Sequence, residues 1–589
     1  MGTFVADFET TTNPEDCRVW AYAICEVGNP DNIIVGTTID DFMKWCREGK
    51  ENHKVFFHNL KFDGQFIMQW LFHNGFIHTT DKKDRKGGTF NTVISDKGMY
   101  YQLEVIFYKK GKNIKKVIFQ DSLKLIPLSV SAIAKAFKME ISKLEIDYTS
   151  HNNKPIGSPL TKEEEEYIKN DVKIVAYAIE YFHKQGLNKM TIGSCALEEY
   201  KKSITKRAFK RYYPPPKFHD DVKQSYKGGF TYLNPKFAGV IIDNGVVFDV
   251  NSLYPSVMYG VEGEYLPFGT PIFFKGKYKP DPVYPIYTQM FKCIFQIKKG
   301  KIPTIQIKHG GFGFRGNEYL TSSGGKEVTL CLNSVDLELF YEHYDVSCEE
   351  WISGWKFKST KGLFKKYIEK WSNNKIQAKI EGNHGLYLIS KLFLNSLYGK
   401  FGSDNKVKSK IPYLGEDDII HFTTSDEQPK DGVYIAMASF ITSYARRKTI
   451  TSAQRITDNY NSGKSKAQFV YADTDSLHIY LNGESEEEFI KNCGLKIDDT
   501  ELGWWKFESR FNRAKFLRQK CYLENSTEDI ENKNPEYELK ITVAGMPKNC
   551  YQYVTFENFN IGASYKGKMQ PKNVKGGVVL ADVEFTLKQ

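Results

Sequence analysis

Tyr471-Ala-Asp-Thr-Asp-Ser476 holds two carboxylates, Asp473 and Asp475, one residue apart in a segment without other charge. Gln468-Phe-Val-Tyr471 leads in with strand character and Leu477-His-Ile-Tyr480 leads out with it, so the acids fall at the tip of a predicted hairpin. Two negative charges this close repel one another unless a cation neutralises them. Alone, the motif is equally well a solvated Asp/Thr turn. Far upstream, however, Val247-Phe-Asp-Val-Asn-Ser-Leu-Tyr-Pro255 ends a second apolar strand at Asp249. Two strand-end acids meeting at one point are what a two-metal phosphoryl-transfer centre requires.

A separate acidic set lies near the N-terminus. Asp7 and Glu9 are two apart in Phe4-Val-Ala-Asp-Phe-Glu-Thr10, so a strand turns both to one side. His58-Asn-Leu-Lys-Phe-Asp63 follows directly on the apolar Val55-Phe-Phe57. Tyr167-Ile-Lys-Asn-Asp171 lies in a helix opened by a Thr161/Glu164 capping box, with Tyr167 and Asp171 on one face. Asp7, Glu9, Asp63 and Asp171 can together bind two divalent ions, and Tyr167 is near enough to place an attacking water. In Lys391-Leu-Phe-Leu-Asn-Ser-Leu-Tyr-Gly399, Lys391, Asn395 and Tyr398 form one helical stripe. A cation there suits triphosphate oxygens, and an aromatic suits a base or sugar. Lys520 and Tyr522 are two apart on a predicted strand, aimed at one side. Singly, each motif also reads as an ordinary amphipathic helix, turn or strand end.

The elements that must hold these residues are spread over several domains, since 589 residues exceed a single core. Lysine and arginine number 82 against 71 acids, a balance that suits a polyanionic partner. The tyrosine surplus suits base stacking. Ten scattered cysteines form no CxxC or zinc-spaced cluster and read as reduced thiols of a reducing compartment. No signal peptide is indicated, and no apolar run approaches the ~18 residues that span a bilayer. The expectation is a soluble intracellular protein.

The first 190 or so residues alternate short strands with helices. Pro214-Pro-Pro216, after a basic stretch from Lys201 to Arg211, marks a domain boundary. Tyr226-Lys-Gly-Gly-Phe230 is a turn whose glycines, Gly228 and Gly229, let backbone approach a phosphate. Strand-like Thr304-Ile-Gln-Ile-Lys308 falls in a mixed region at 261–360, and one helical stretch runs from about Gly362 to Leu397. Residues 403–434, with Lys406, Lys408 and Lys410, form a protruding hairpin.

Seven motifs in this order resemble the protein-primed branch of family B DNA polymerases, most closely the phi29-type phage enzymes, over essentially the whole chain. The motifs are DFET at Asp7, HNLKFD at His58, YIKND at Tyr167, DVNSLYP at Asp249, KLFLNSLYG at Lys391, YADTDS at Tyr471 and KCY at Lys520, with YKGG at Tyr226 as the template-contacting link. The resemblance implies an α/β plus α+β multidomain fold. An RNase H-like 3′–5′ exonuclease domain (1–190) would precede a right-hand polymerase. Its parts would be palm (191–260 and 435–544), an inserted priming subdomain (261–362), fingers (363–402), an inserted strand-displacement hairpin (403–434) and thumb (545–589).

Carried over residue by residue, Asp249, Asp475 and the main chain of Val250 would hold two Mg²⁺ ions (Mn²⁺ substituting), with Asp473 beside them. Tyr254 would lie under the incoming sugar and exclude a 2′-hydroxyl, Lys391 and Asn395 would bind the triphosphate, and Tyr398 would check the nascent pair. Family members often carry a further lysine where this chain has Tyr387; Lys375 or Lys379 would supply that charge. Lys520 and Tyr522 would hold the primer terminus. In the exonuclease, Asp7, Glu9, Asp63 and Asp171 would ligate metal, with Tyr167 and Lys143 assisting hydrolysis. Thr10, His58, Asn59, Phe62, Phe66, Ser122, Leu123 and Tyr148 would grip the frayed single strand.

The implied activity is dNTP addition to a primer 3′-end with proofreading, strand displacement and initiation on a terminal protein, by a monomer in the cytoplasm of a bacterial host replicating a linear phage genome. Its partners would be primer-template DNA, single-stranded DNA, dNTPs and that terminal protein, with no membrane. A family B enzyme using only ordinary primers is the alternative. A non-enzymatic single-strand-binding protein would not need the acids.

Overall fold

Along Gly2–Thr10, Val5 packs into one core cluster while Ala6 and Phe8 pack into another, the two-residue period of a strand buried on both faces. In this computed structural model, which describes all residues except 215–216, 308–317, 431–432, 527–538 and 589, that strand is central to an eight-stranded sheet. Gly2–Thr10, His53–Phe57 and Asn113–Asp121 run parallel, and antiparallel strands extend the sheet on both sides. Helix Lys162–Lys184 covers the Val5 face, opened by the Thr161/Glu164 capping box, and helix Leu60–His73 covers the other.

A second, seven-stranded antiparallel sheet runs in the order Leu539–Val543, Cys521–Ser526, Trp505–Arg518, Ile241–Val250, Ser476–Tyr480, Gln468–Asp473, Thr231–Leu233. The 27-residue helix Ile435–Asn461 packs on it and is buried along most of its length. The helical stretch expected from Gly362 to Leu397 is two antiparallel helices, Lys365–Ile380 and His384–Phe401. Gly382, at φ +68, makes the break, a left-handed conformation that a side chain would resist.

Residues 266–360 build a four-stranded sheet with helix Ser334–His343 on it, and Ile305–Ile307 is a strand as expected; Lys308 lies outside the described residues. Of the boundary prolines, Pro215 and Pro216 also lie outside them.

The 403–434 segment is a hairpin, Lys410–Leu414 with Ile420–Thr424, but its tip does not stand free. Gln69 donates to the Asp418 carbonyl (2.8 Å), His73 and Lys575 flank the Asp418 carboxylate, and Ile420 is buried against the first sheet. The C-terminal hairpin Ser564–Val574/Gly577–Thr586 returns to the same place. A Cβ on Gly577 would lie 2.4 Å from the Phe66 ring, and Asn573 donates to the Ile420 carbonyl (3.0 Å). Apolar side chains at the tip explain the docking: exposing Ile420 would leave apolar area in water.

Gly245 lies in the middle of the second sheet, where an added Cβ would meet Phe511 at 2.0 Å and the Ile479 carbonyl at 2.5 Å. Overpacking at a site closed by backbone costs about 1–3 kcal/mol. Gly245→Ala should lower the thermal unfolding midpoint, whereas Gly49→Ala, with nothing within 4 Å, should lower it less, through its φ of +75 alone.

Candidate active sites

Strand register brings the first pair of acids together. Asp249 pairs directly with Ser476, and the Val250 amide donates to the Asp475 carbonyl (2.8 Å). The tip Thr474-Asp475 is tied down by two hydrogen bonds and takes a left-handed turn. Thr449 Oγ1 donates to the Thr474 carbonyl (2.7 Å), the Thr474 amide donates to Phe230 O (2.7 Å), and Thr474 itself adopts φ +65. Gly229 matters here: a Cβ would lie 2.6 Å from the Thr474 side chain, so the close approach this glycine permits is to the hairpin. Arg446, buried, donates to the carbonyls of Lys227 and Gly228 and to Asp336, holding the YKGG loop in place. Tyr226 lies against Gly402, whose absent side chain leaves room for the phenol.

Asp249 and Asp475 line one cleft together with Val250, Tyr254, Lys375, Lys391, Asn395 and Tyr398. Burial, reinforced by Asp475 and Glu508, pushes Asp249 up to about 7; burial with Asp473 and Glu508 pushes Asp475 up to about 6. Tyr254 and Tyr398 stack on each other, centroids 3.9 Å apart, so the two rings form one platform. Lys375 lines the cleft while Lys379 is exposed outside it. Burial, then the Lys391 charge, lowers Lys375.

Lys520 is not on a strand. It occupies the turn before Cys521–Ser526 at φ +52, its amide donating to Tyr471 Oη (2.9 Å) and its ammonium to Asp473 (2.7 Å). The Asp473 carboxylate is thereby engaged by a lysine while lining the same depression as Asp249 and Asp475. Tyr522 is buried against Tyr471 and Phe516, yet it lines the same acidic depression as Lys520, Asp249 and Asp475. Glu508 and Lys540 line that depression as well. The sequence signal for Glu508 was present: Lys506, Glu508 and Arg510 alternate with Phe507, Ser509 and Phe511 along Trp505–Arg518, marking a polar strand face.

The N-terminal acids also converge. Burial and then Asp171 push Asp7 up to about 7; burial and then Asp7 raise both Glu9 and Asp63. Asp171 is raised by burial against the opposing effect of Lys143, whose Nζ sits 2.6 Å from its Oδ2. Tyr167 Oη is 3.0 Å from Tyr148 Oη, and burial raises the Tyr167 phenol.

Of the residues expected to grip single-stranded DNA, Asn59, Phe62, Leu123 and Tyr148 retain access to solvent. Ser122, Phe66 and Thr10 do not. Ser122 is fully buried, donating to the Phe57 carbonyl, and Phe66 packs under Gly577. His58 has both ring nitrogens occupied, Nδ1 by Ser122 Oγ (2.9 Å) and Nε2 by the Leu128 carbonyl (2.7 Å). These side chains hold the strand-to-helix junctions that present the acids.

Among the described residues no group of three or more His, Cys, Asp or Glu side chains is drawn together so as to hold a metal ion. The donor chemistry nevertheless fits hard divalent cations: the groups are carboxylate oxygens throughout, and buried Asp63 Oδ1 and Asp171 Oδ1 have no hydrogen-bond partner among the described residues. An uncompensated buried carboxylate oxygen is costly, and a cation removes that cost.

A family model described as DNA polymerase type B, organellar and viral, matches residues 46–159 and 150–492. The chain is 44% identical over 596 aligned positions to the DNA polymerase of Bacillus phage B103, covering 99% of each, and 44% identical to that of Bacillus phage phi29 with the same coverage. It is 32% identical to the DNA polymerase of Streptococcus phage Cp-1, covering 100% of this chain and 98% of the relative. The solved phi29 DNA polymerase complexed with primer-template DNA and incoming nucleotide substrates matches over 100% of both chains, with 43% identity and a TM-score of 0.90. The chain belongs to the family B DNA polymerases of organelles and viruses, among the phage enzymes of the phi29 type.

Proposed function

We propose that this polymerase extends primer 3′-ends at the Asp249/Asp475 centre and removes mispaired termini at the Asp7/Glu9/Asp63/Asp171 centre, with initiation on a terminal protein. The observation that carries the reading is the register of Ile241–Val250 against Ser476–Tyr480, which sets two raised-pKa carboxylates opposite a lysine-lined, aromatic-floored cleft.

In the polymerising centre Asp249, Asp475 and the Val250 carbonyl would hold divalent cations, Mg²⁺ or Mn²⁺; in the exonuclease Asp7, Glu9, Asp63 and Asp171 would. Such cations, when bound, supply Lewis acidity that makes a hydroxyl or water nucleophilic and offsets charge on the leaving group. The chain's own groups do the rest by position and charge. Lys391 and Lys375 face the cleft that the acids line, where their ammonium groups offset triphosphate charge. The stacked Tyr254 and Tyr398 give a sugar and base a flat floor, and Tyr254, beside Asp249, is placed to exclude a 2′-hydroxyl.

Lys520 and Tyr522 sit where a primer terminus would enter, and Asp473 positions Lys520. In the second centre the buried Tyr167 phenol stays protonated, so it orients a water by hydrogen bonding. Lys143 fixes Asp171.

The sheet at 266–360 is the proposed priming insertion, and the docked 403–434 hairpin is the proposed strand-displacement element. The enzyme would act as a monomer in the cytoplasm of a bacterial host. Relatives solved with primer-template DNA and with single-stranded DNA support both DNA partners.

Asp475→Ala should reduce primer extension by at least about 10³-fold, the scale of losing a transition-state charge partner, while leaving digestion of single strands intact. Asp63→Ala should do the reverse. Loss of both activities in either folded variant would refute separate centres. Chelation by EDTA should stop both reactions, with Mg²⁺ or Mn²⁺ restoring them; activity that persists under EDTA would remove cations from the scheme. Incubation with the phage's terminal protein and labelled dATP should yield a covalently labelled protein, and absence of the label would leave a polymerase that uses ordinary primers alone.

A further inference from the structure

A group of cations is gathered at one edge of the N-terminal sheet, the hairpin end of the strands Tyr100–Lys110 and Asn113–Asp121. Lys109–Lys116 contains five lysines and no acid, and Asp81–Lys86 contains four cations against two acids. The fold presses these segments together. A Cβ on Gly87 would lie 3.0 Å from the Tyr108 backbone, and Lys109 Nζ donates to the Arg85 carbonyl (3.4 Å). Lys82, Arg85, Lys109, Lys112 and Lys116 line one depression in which Glu104 is the only acid. Arg85 reaches Glu104 at 3.8 Å, and its Nε is buried without a partner among the described residues.

Like charges gathered by backbone packing destabilise the protein unless something offsets them. The depression lies at the hairpin end where Lys110 pairs with Asn113. The exonuclease end of the same strand is Asp121, about 25 Å away along the strand rise, where its carboxylate accepts from the Asn59 and Leu123 amides. The 403–434 segment meets this sheet at Ser95, just past the strand Thr89–Ile94, two strands away from Asn113–Asp121.

We propose that this edge is a second nucleic-acid surface that binds the phosphate backbone of duplex DNA outside the catalytic cleft. Its composition favours phosphate over protein: lysine is depleted in protein–protein interface cores, whereas lysine and arginine with few acids are the electrostatic footprint of a phosphate backbone. The inference rests on the DNA-synthesis reading only for its choice of nucleic acid.

The test fills the cleft of the full-length enzyme with a chain-terminated primer-template and the next dNTP, then titrates a labelled blunt duplex by fluorescence anisotropy. The wild type should bind this second duplex weakly, with a dissociation constant on the order of 10⁻⁵ M, and with a steep salt dependence. The triple variant Lys109→Glu/Lys112→Glu/Lys116→Glu should weaken it at least roughly tenfold and flatten the log–log salt slope by about 0.9 for each phosphate no longer neutralised. Extension of a short primer-template should be unchanged, which separates this surface from the polymerising centre. The corresponding Lys→Gln triple variant should show a smaller loss and answers the question if charge reversal prevents folding. Equal duplex binding by wild type and variants, or binding of poly-glutamate but not duplex by the filled enzyme, would overturn the proposal.

Discussion

Burial of carboxylates is the constraint around which both centres are built. Sheet register sets Asp249 beside the hairpin that carries Asp475, and burial, reinforced at Asp249 by Asp475 and Glu508 and at Asp475 by Asp473 and Glu508, lifts both out of the ordinary carboxylate range. In the N-terminal centre burial raises Asp7, Glu9, Asp63 and Asp171 on three elements, with neighbouring acids adding to it at the first three. Such an arrangement is unfavourable for the apoprotein and must be over-determined by its surroundings. The surroundings are correspondingly firm: Thr449, Phe230 and Gly229 close on the hairpin tip, while Asp121 and Ser122 fix the entry to helix Leu60–His73.

The same logic separates residues that do chemistry from residues that hold them. Lys520 and Asp473 satisfy one another, so Asp473 shapes the KCY turn, while Asp475 remains in the cleft. In the other centre Lys143 pairs with Asp171 Oδ2, while Asp171 Oδ1 stays without a hydrogen-bond partner among the described residues. Arg446 directs its donors to two loop carbonyls, Ser443 and Asp336, fixing the YKGG segment without facing the acids. Asp171 and Arg446 are buried charges that would be costly alone and are tolerable because they are paired.

Long-range closure ties the two halves together. The insertion hairpin and the C-terminal hairpin both end against helix Leu60–His73, at Gln69, His73 and Phe66. Elements from three distant parts of the chain therefore share one apolar cluster, and a displacement of either hairpin is felt at the helix that carries Asp63.

Local chemistry was legible in the residues themselves. The two-residue spacing of Asp7 and Glu9, the Thr161/Glu164 cap and the apolar strands flanking Asp473 and Asp475 follow from short-range periodicities that any such segment obeys. Hidden were facts that depend on what lies across a sheet or under a helix. Lys520 takes a left-handed turn because Tyr471 and Asp473 hold it there; Ser122, Phe66 and His58 turn inward because Phe57, Gly577 and Leu128 receive them; the hairpin tip docks because Ile420 finds a core to enter. The sequence by itself determined which side chains could carry charge to a strand end. Only the tertiary structure decided which charges meet, because meeting is a matter of register and burial between segments hundreds of residues apart.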